Sequence, residues 1–469
     1  MADGAASLLS AAVHGGKGRI NGLHDDLLHQ IIGHLPFTDA ARTSVLASRW
    51  RHLWRSTPLA IDDAHLPVPA RATSAVAGFL ADHPGPLVTV RLRHCRFASL
   101  DPTWPRLLAG KGTLQELALF NKDGKVQPYS ARLPAEILRC ASLRCLSLAF
   151  WMFPGGLSGG ADIILPQLRV LELINIYISK EDLDTLLASS PVLETLTVRG
   201  PWAFRSGAFW NYHKRKRFHL RSQSLRSVVL GLSGVEHFEV TDAPVLESLI
   251  LKEQSAAGCD DGGRINIACT PKLRILGYLE PRVHTLQIAG NVIRSDTVAS
   301  PSVVVPGLKI LALRVNFRVL REVKMLASFL RCFPNIDTLH IESALHDPSA
   351  IHYGVTREQH AELWQEASAL KCSISHLKRM VFHKFRGHPN EIEFLKFIAT
   401  DAHELESLLL VPLKGSFTSA AQVNEMIDKL DCPQFLAWAS KVLIVSPKMD
   451  IARNLHKASD LSINDPFCY

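Results

Sequence analysis

No run of about eighteen uninterrupted apolar residues occurs in the 469-residue chain, so no segment is long and greasy enough to span a bilayer as a helix. The opening MADGAASLLSAAVHGG lacks the basic flank and extended apolar centre of a secretion signal, which makes cytosol or nucleus the expected location and no membrane the expected surroundings. Cys-x-x-Cys is also missing. The nine cysteines, an odd number scattered from Cys95 to Cys468, read as reduced thiols rather than a disulfide framework or zinc ribbon. No asparagine stands in an N-x-[ST] acceptor, and no G-x-x-x-x-G-K-[ST] phosphate loop is present, so the chain itself is not expected to hydrolyse nucleotides.

Charge of one sign is scarce. A net charge of +8 from 52 basic and 44 acidic residues is mild for this length. The one dense cluster is His213-Lys214-Arg215-Lys216-Arg217, bordered by Trp210, Tyr212 and Phe218. It admits three readings: a solvated insertion, a nuclear import signal at Lys214, Arg215, Lys216 and Arg217, or a phosphate-binding patch.

Catalytic and metal patterns are equally thin. Gly156-Leu157-Ser158-Gly159-Gly160 satisfies G-x-S-x-G, but it lies in a loop and runs into Ile163-Ile164-Leu165-Pro166, which cannot start the helix a nucleophile elbow needs. Among the 21 histidines, His24, His29 and His34 are five apart, which turns successive rings away from one another. His376, His383 and His388 lack a matching cysteine or carboxylate cluster. No catalytic residue, metal ligand or cofactor site is expected.

What is abundant is apolar surface: 47% of residues are hydrophobic, enough for two or three domains with a large core. Near the start, Leu23, Leu27, Leu28, Ile31, Ile32 and Leu35 recur at helical spacing until Pro36. In a second helix, expected to be capped by Thr38 with Asp39 at its positive end and to stop at Pro58, Val45, Arg49 and Leu53 form one row. Leu46, Trp50 and Trp54 form the row beside it. So many large apolar groups exceed what one small hairpin hides, and the pair reads as a docking module; an ordinary helical hairpin packed on its own domain is the alternative.

From about Leu87 to Phe382 the pattern apolar-x-x-apolar-x-apolar repeats. Leu114-Leu117-Leu119, Leu143-Leu146-Leu148, Leu168-Leu171-Leu173 and Leu193-Leu196-Val198 start 29, 25 and 25 residues apart. Further copies begin at Leu225, Leu246, Leu273, Leu308, Ile336 and Leu377, and Leu133 to Leu138 reads as a return helix. Alternation turns the leucines inward and leaves Glu172, Thr197, Glu239, Gln287 and His340 on the opposite, ligand-facing side of a curved parallel sheet. Copies at Leu225, Val235 and Leu246, and at Leu273 and Val283, lie only 10 or 11 residues apart, so their return segments are expected to shrink to loops. A non-repeat α/β domain is the competing reading, since Leu-x-x-Leu-x-Leu also occurs in amphipathic helices.

The stretch Ile20 to Pro58, and Asp39 to Trp54 above all, resembles an F-box of the plant form, departing from it at His24, where that family usually has a first-turn proline that helps start the helix. The repeats resemble those of plant leucine-rich-repeat F-box proteins. Cys372-Ser373-Ile374-Ser375-His376-Leu377-Lys378, Phe385-x-Gly387, Glu391, Lys396-Phe397-Ile398 and Ala402-x-Glu404-Leu405-Glu406-Ser407-Leu408 resemble the FBD region that follows them. Read physically, that region is strand, turn, helix, strand, placed to cap the repeats.

The resemblance implies an α/β chain: a small N-terminal helical F-box, an irregular leucine-rich-repeat solenoid and a C-terminal FBD-type cap. Its expected parts are a disordered tail at 1–18, the F-box at 19–65, a connector at 66–86, the solenoid at 87–370, the FBD-like region at 371–412 and a partly helical tail at 413–469. It further implies a substrate-recognition subunit of an SCF-type cullin ubiquitin ligase, with no chemistry of its own. Leu23, Leu27, Ile31, Leu35, Pro36, Val45, Leu46, Trp50, Leu53 and Trp54 would bind an SKP-type adaptor, and through it a cullin, while the repeats hold an unknown protein substrate, with or without a small-molecule ligand. The alternative is a non-ligase scaffold or, less favoured, a nucleic-acid binder using residues 210–221.

Overall fold

Leu28 and Ile32, one helical turn apart, point the same way and are both fully buried, which sets the inner face of α1 (Asp25–His34). His24 takes the cap position, its Nδ1 accepting from the Asp26 amide at 3.5 Å. The helix ends at Leu35, which the following proline drives into an extended conformation. The single second helix expected from Thr38 onward is two helices instead, α2 (Phe37–Thr43) and α3 (Ser48–Ser56). Between them the Thr43 and Ser44 hydroxyls donate to the Ala40 and Ala41 carbonyls, each at 2.6 Å, turning local polar groups toward the chain three residues back. Thr38 lies inside the first turn of α2, and Pro36 holds the cap position without a side-chain bond.

The computed structural model describes residues 20–66, 71–121, 131–156, 163–201, 217–233, 237–251, 263–280, 284–288, 291–293, 305–344, 362–365, 374–413, 415–416, 422, 442–444 and 465–467. They fall into two units, Met1–Pro191 and Val192–Tyr469.

In the first unit the helical module leads straight into a sheet. Residues expected within the F-box already supply its first strand, β1 (Leu59–Asp62), which pairs in parallel with β2 (Leu87–Leu92) after the crossover helix α4 (Ala72–Asp82). Next come α5 (Trp104–Ala109), β3 (Glu116–Phe120), β4 (Cys145–Ala149), β5 (Val170–Ile174) and α6 (Lys180–Ala188). The register stacks like on like: Leu117 lies opposite Leu146 and Leu146 opposite Leu171, while Leu119, Leu148 and Leu173 form the next row. All six are buried. The return segment expected as a helix from Leu133 is a 3-10 helix, Ala135–Arg139, begun after Pro134 and burying Ile137 and Leu138.

The second unit repeats this arrangement with β6 (Thr195–Pro201), β8 (Ser227–Ser233), β10 (Ser248–Leu251), β12 (Ile275–Leu279), β15 (Ile310–Val315), β16 (Thr338–Ser343), β17 (Arg379–Phe385), β18 (Ser407–Pro412) and β19 (Val442–Ile444), parallel and in that order. The leucine or isoleucine that opens each sequence repeat, from Leu114 to Leu377, is buried and stands two residues ahead of its strand. Leu405 does the same for β18. Helices α7 (Leu320–Cys332) and α8 (Pro389–Asp401) serve as returns where the spacing allows.

From Arg217 to Ile293 the described returns are strands, in the short intervals expected to hold loops and in the longer ones between them. β7 (Arg217–Arg221), β9 (His237–Asp242), β11 (Gly263–Ile267) and β13 (His284–Ile288) pair in parallel as a second sheet, closed by antiparallel β14 (Asn291–Ile293). Ten residues cannot hold a crossover helix, yet an extended return satisfies its backbone by pairing with the returns before and after it. Phe218, Leu220, Phe238, Val240, Ile265, Ile267, Leu286 and Ile288 alternate along these strands and are buried. Glu239 and Gln287 therefore belong to this second sheet, not to the ligand-facing side of the main one. Thr197 and His340 do lie in the main sheet but are buried, and Glu172 accepts a bond from Ser147 Oγ at 2.8 Å. The FBD-like strand β18 is not the last strand either, since β19 pairs beyond it. In the tail expected to be partly helical, residues 420–430 lie outside the described residues save Gln422, which is helical; Val235, Val283 and residues 157–160 of the G-x-S-x-G segment also lie outside them.

Asp63, directly after β1 and fully buried, accepts three amides from the turn after β2: Arg93 at 2.8 Å, His94 at 2.6 Å and Cys95 at 2.9 Å. Asp63→Ala strands all three donors and should lower unfolding free energy by roughly 3 kcal/mol or more, read from urea denaturation.

Candidate docking surface

The helical module is organised by Arg49 of α3. Its guanidinium donates to the Asn21 carbonyl at 2.6 Å, the Leu23 carbonyl at 2.8 Å and, through Nε, the Asp25 carboxylate at 2.8 Å. Next to it, Trp50 Nε1 donates to Asn21 Oδ1 at 2.7 Å. These bonds pin the chain entering α1 onto the start of α3. At the other end of α3, His29 Nδ1 lies 2.7 Å from Thr57 Oγ1, which in turn donates to the Leu53 carbonyl.

So fixed, the three helices divide the apolar residues into two sets. Leu28, Ile32, Phe37, Ala40, Trp50, Leu53 and Trp54 are buried within the chain. Leu27 and Ile31, neighbours on the outer face of α1, remain 47% and 41% exposed. Val45 and Leu46, in the turn between α2 and α3, are 82% and 64% exposed, and Pro36 is exposed beside half-buried Leu35. Leu23 is also half-buried. Of the ten residues expected at an adaptor face, Trp50, Leu53 and Trp54 are thus removed: the break at 44–47 rotates α3 relative to the rows drawn for one continuous helix and turns both indoles inward.

Trp54 has an internal partner instead. Its ring lies 5.0 Å from the His83 imidazole and 6.1 Å from Phe79 of α4, while Phe79 stacks on His83 at 5.0 Å and meets Phe37 edge-on at 5.1 Å. Lys111 Nζ closes the junction by donating to the His83 and Gly85 carbonyls, each at 2.9 Å. Gly85 is required here because a Cβ on it would fall 2.1 Å from the Arg55 carbonyl oxygen. Burial lowers the His83 pKa to about 4, with nearby Lys111 adding to the effect. Spacing placed Arg49 in a row with Val45 and Leu53 without showing what it bonds, and it did not mark His83, since their partners are 24 to 29 residues away in sequence.

The remaining histidines act separately. His376 Nδ1 lies 3.3 Å from Glu404, His383 stacks on His340, and His388 caps α8, where Glu391 accepts the Arg386 and His388 amides at 3.0 and 3.1 Å. Among the described residues no group of three His, Cys, Asp or Glu side chains could hold a metal ion, and no helix is long and apolar enough to cross a membrane. Of the basic cluster only Arg217, at the start of β7, is described.

An apolar-faced helical module ahead of stacked leucine strands is a leucine-rich-repeat architecture with a helical module in front, and comparison with known proteins gives its family. Family models match as the F-box domain over residues 20–62, as "FBD-associated F-box protein At5g56370, LRR repeats" over 102–341, and as FBD over 365–410. The chain belongs to this family of F-box proteins with leucine-rich repeats and an FBD region. It is 33% identical over 241 residues to the putative F-box/FBD/LRR-repeat protein At2g05300 of Arabidopsis thaliana, covering 50% of this chain and 52% of that one. It is 24% identical over 427 residues to the FBD-associated F-box protein At4g10400 of the same plant, covering 87% and 96%. The match thus spans about half of the first relative's length and nearly all of the second's. F-box proteins generally act in substrate recognition by SCF ubiquitin ligases, and the F-box/LRR family is typically a non-catalytic adaptor.

The pH dependence of the junction follows from the His83 shift. Between about pH 6.5 and 4 the unfolded chain binds a proton at this residue that the folded chain does not, so stability should fall as pH drops through that window. Urea midpoints measured across it should decline less steeply for His83→Gln.

Proposed function

We propose that the chain is the target-recognition subunit of an SCF-type cullin ubiquitin ligase. Leu27, Ile31, Pro36, Val45 and Leu46 would seat an SKP-type adaptor, and the repeats would hold a protein destined for ubiquitination. One observation carries this reading: the module satisfies its own core with two tryptophans and still leaves Leu27, Ile31, Val45 and Leu46 in water. A hairpin serving only its own domain would have no use for Val45 and Leu46 at the tip of a turn. Burying such groups on a partner yields roughly 1.5 to 3 kcal/mol each before association costs are subtracted. The chain would contribute proximity, raising the concentration of target lysines beside an activated thioester carried by another subunit.

Replacing Leu27 and Leu46 together by alanine should weaken capture of a purified SKP-type adaptor by roughly tenfold or more, the loss expected of central interface anchors, while far-UV circular dichroism stays unchanged. Trp54→Ala supplies the contrast. It removes a core group and should cost about 3 to 5 kcal/mol of folding free energy. Undiminished capture by the double variant would overturn the proposed face.

A further inference from the structure

In the first unit the position between the two core leucines of a strand is small or polar, being Ala118, Ser147 and Glu172 in β3, β4 and β5. In the second unit such positions turn apolar over adjoining strands. Val229 of β8, Ile250 of β10, Tyr278 of β12, and Ile310 and Ala312 of β15 form one buried cluster, although Val228, Leu249, Leu276 and Leu311 already supply the repeat core. The sixth member is Phe467, from the end of the chain. Its ring meets Tyr278 edge-on at 5.1 Å and lies 5.1 Å from His340 of β16.

Two residues earlier, Asp465 is buried against the basic border of the same cluster. Its Oδ2 is 3.1 Å from His340 Nε2 and 3.7 Å from an Arg379 guanidinium nitrogen, and its Oδ1 accepts the Phe467 amide at 3.1 Å across Pro466. His340 is held in turn by His383, with Nδ1 and Nε2 3.1 Å apart and the rings stacked. An aromatic slot, with a histidine donor and an arginine placed for a carboxylate two residues upstream, has the elements of a short-peptide recognition site: an anchor pocket and one oriented charge.

We propose that this pocket recognises the target, reading a protein segment with an acidic residue two positions ahead of an aromatic one, and that Asp465-Pro466-Phe467 fills it in cis until such a segment displaces it. The inference rests on the ligase reading for calling the displacing segment a target; the pocket's preference does not. Tethering gives the internal segment a high effective concentration, so a weak intrinsic fit suffices to hold it and a better-matched segment can replace it.

The test uses the full-length chain carrying Asp465→Ala and Phe467→Ala, and a chain ending at Leu461. The probe is a fluorescein-labelled peptide with the sequence of residues 462–469, SINDPFCY, kept under reductant and followed by fluorescence anisotropy. Both altered chains should bind it saturably and at least tenfold more tightly than the unaltered chain. Arg379→Gln or Tyr278→Ala, added to either, should reduce binding at least tenfold, as should alanine at either anchor position of the peptide. Equal binding by altered and unaltered chains, or none to either altered chain, overturns the proposal. So does loss of folded circular dichroism in both altered chains, which would make the segment part of the core. Adaptor capture measured on the same preparations separates the two readings. Peptide binding without capture sinks the ligase role and leaves the pocket; capture without peptide binding does the reverse.

Discussion

A strand whose leucines all face one way cannot keep them dry alone, and everything in this chain follows from how that need is met. Leu117, Leu146 and Leu171 lie opposite one another in successive strands, so each repeat supplies the wall its neighbour lacks. Parallel pairing is the only way to bring the same positions into line, and it obliges every repeat to send the chain back before starting again. The variety in the molecule lies in that return: α-helices such as α7 and α8, the 3-10 helix Ala135–Arg139, or strands that make a second sheet.

That division explains which parts could be read in advance. The core leucines were legible because strand periodicity forces them to recur, and each opening leucine or isoleucine from Leu114 to Leu377 took its anticipated place. The returns between Leu225 and Leu273 were not. Spacing excludes a helix around Val235, but it does not reveal that β9 will find β7 and β11 as partners, since pairing is decided by the returns of neighbouring repeats. The consequence for the expected ligand face was direct, moving Glu239 and Gln287 to the other sheet.

In the helical module the pattern announced an excess of apolar surface without saying which residues would be spared burial. Val45 to Trp54 falls on tidy rows if the helix is continuous, and the hydroxyls of Thr43 and Ser44 break it. The indoles, the strongest hydrophobes in the segment, then go where they remove most surface from water, against α1 and the Phe79–His83 pair. Contacts such as Arg49 with Asp25 and Trp54 with His83 join distant parts of the sequence, and no local rule points to them.

The passage from α3 to β1 has a mechanical implication. Only Thr57 and Pro58 intervene, the first bonded back to Leu53 and the second locked in φ by its ring. So short and braced a joint does not swivel, and whatever grips the helices inherits the heading of the opening strand. A rigid bracket of this sort sweeps out little volume, and in the proposed ligase it would sort clients by where their lysines fall as much as by how firmly they hold on.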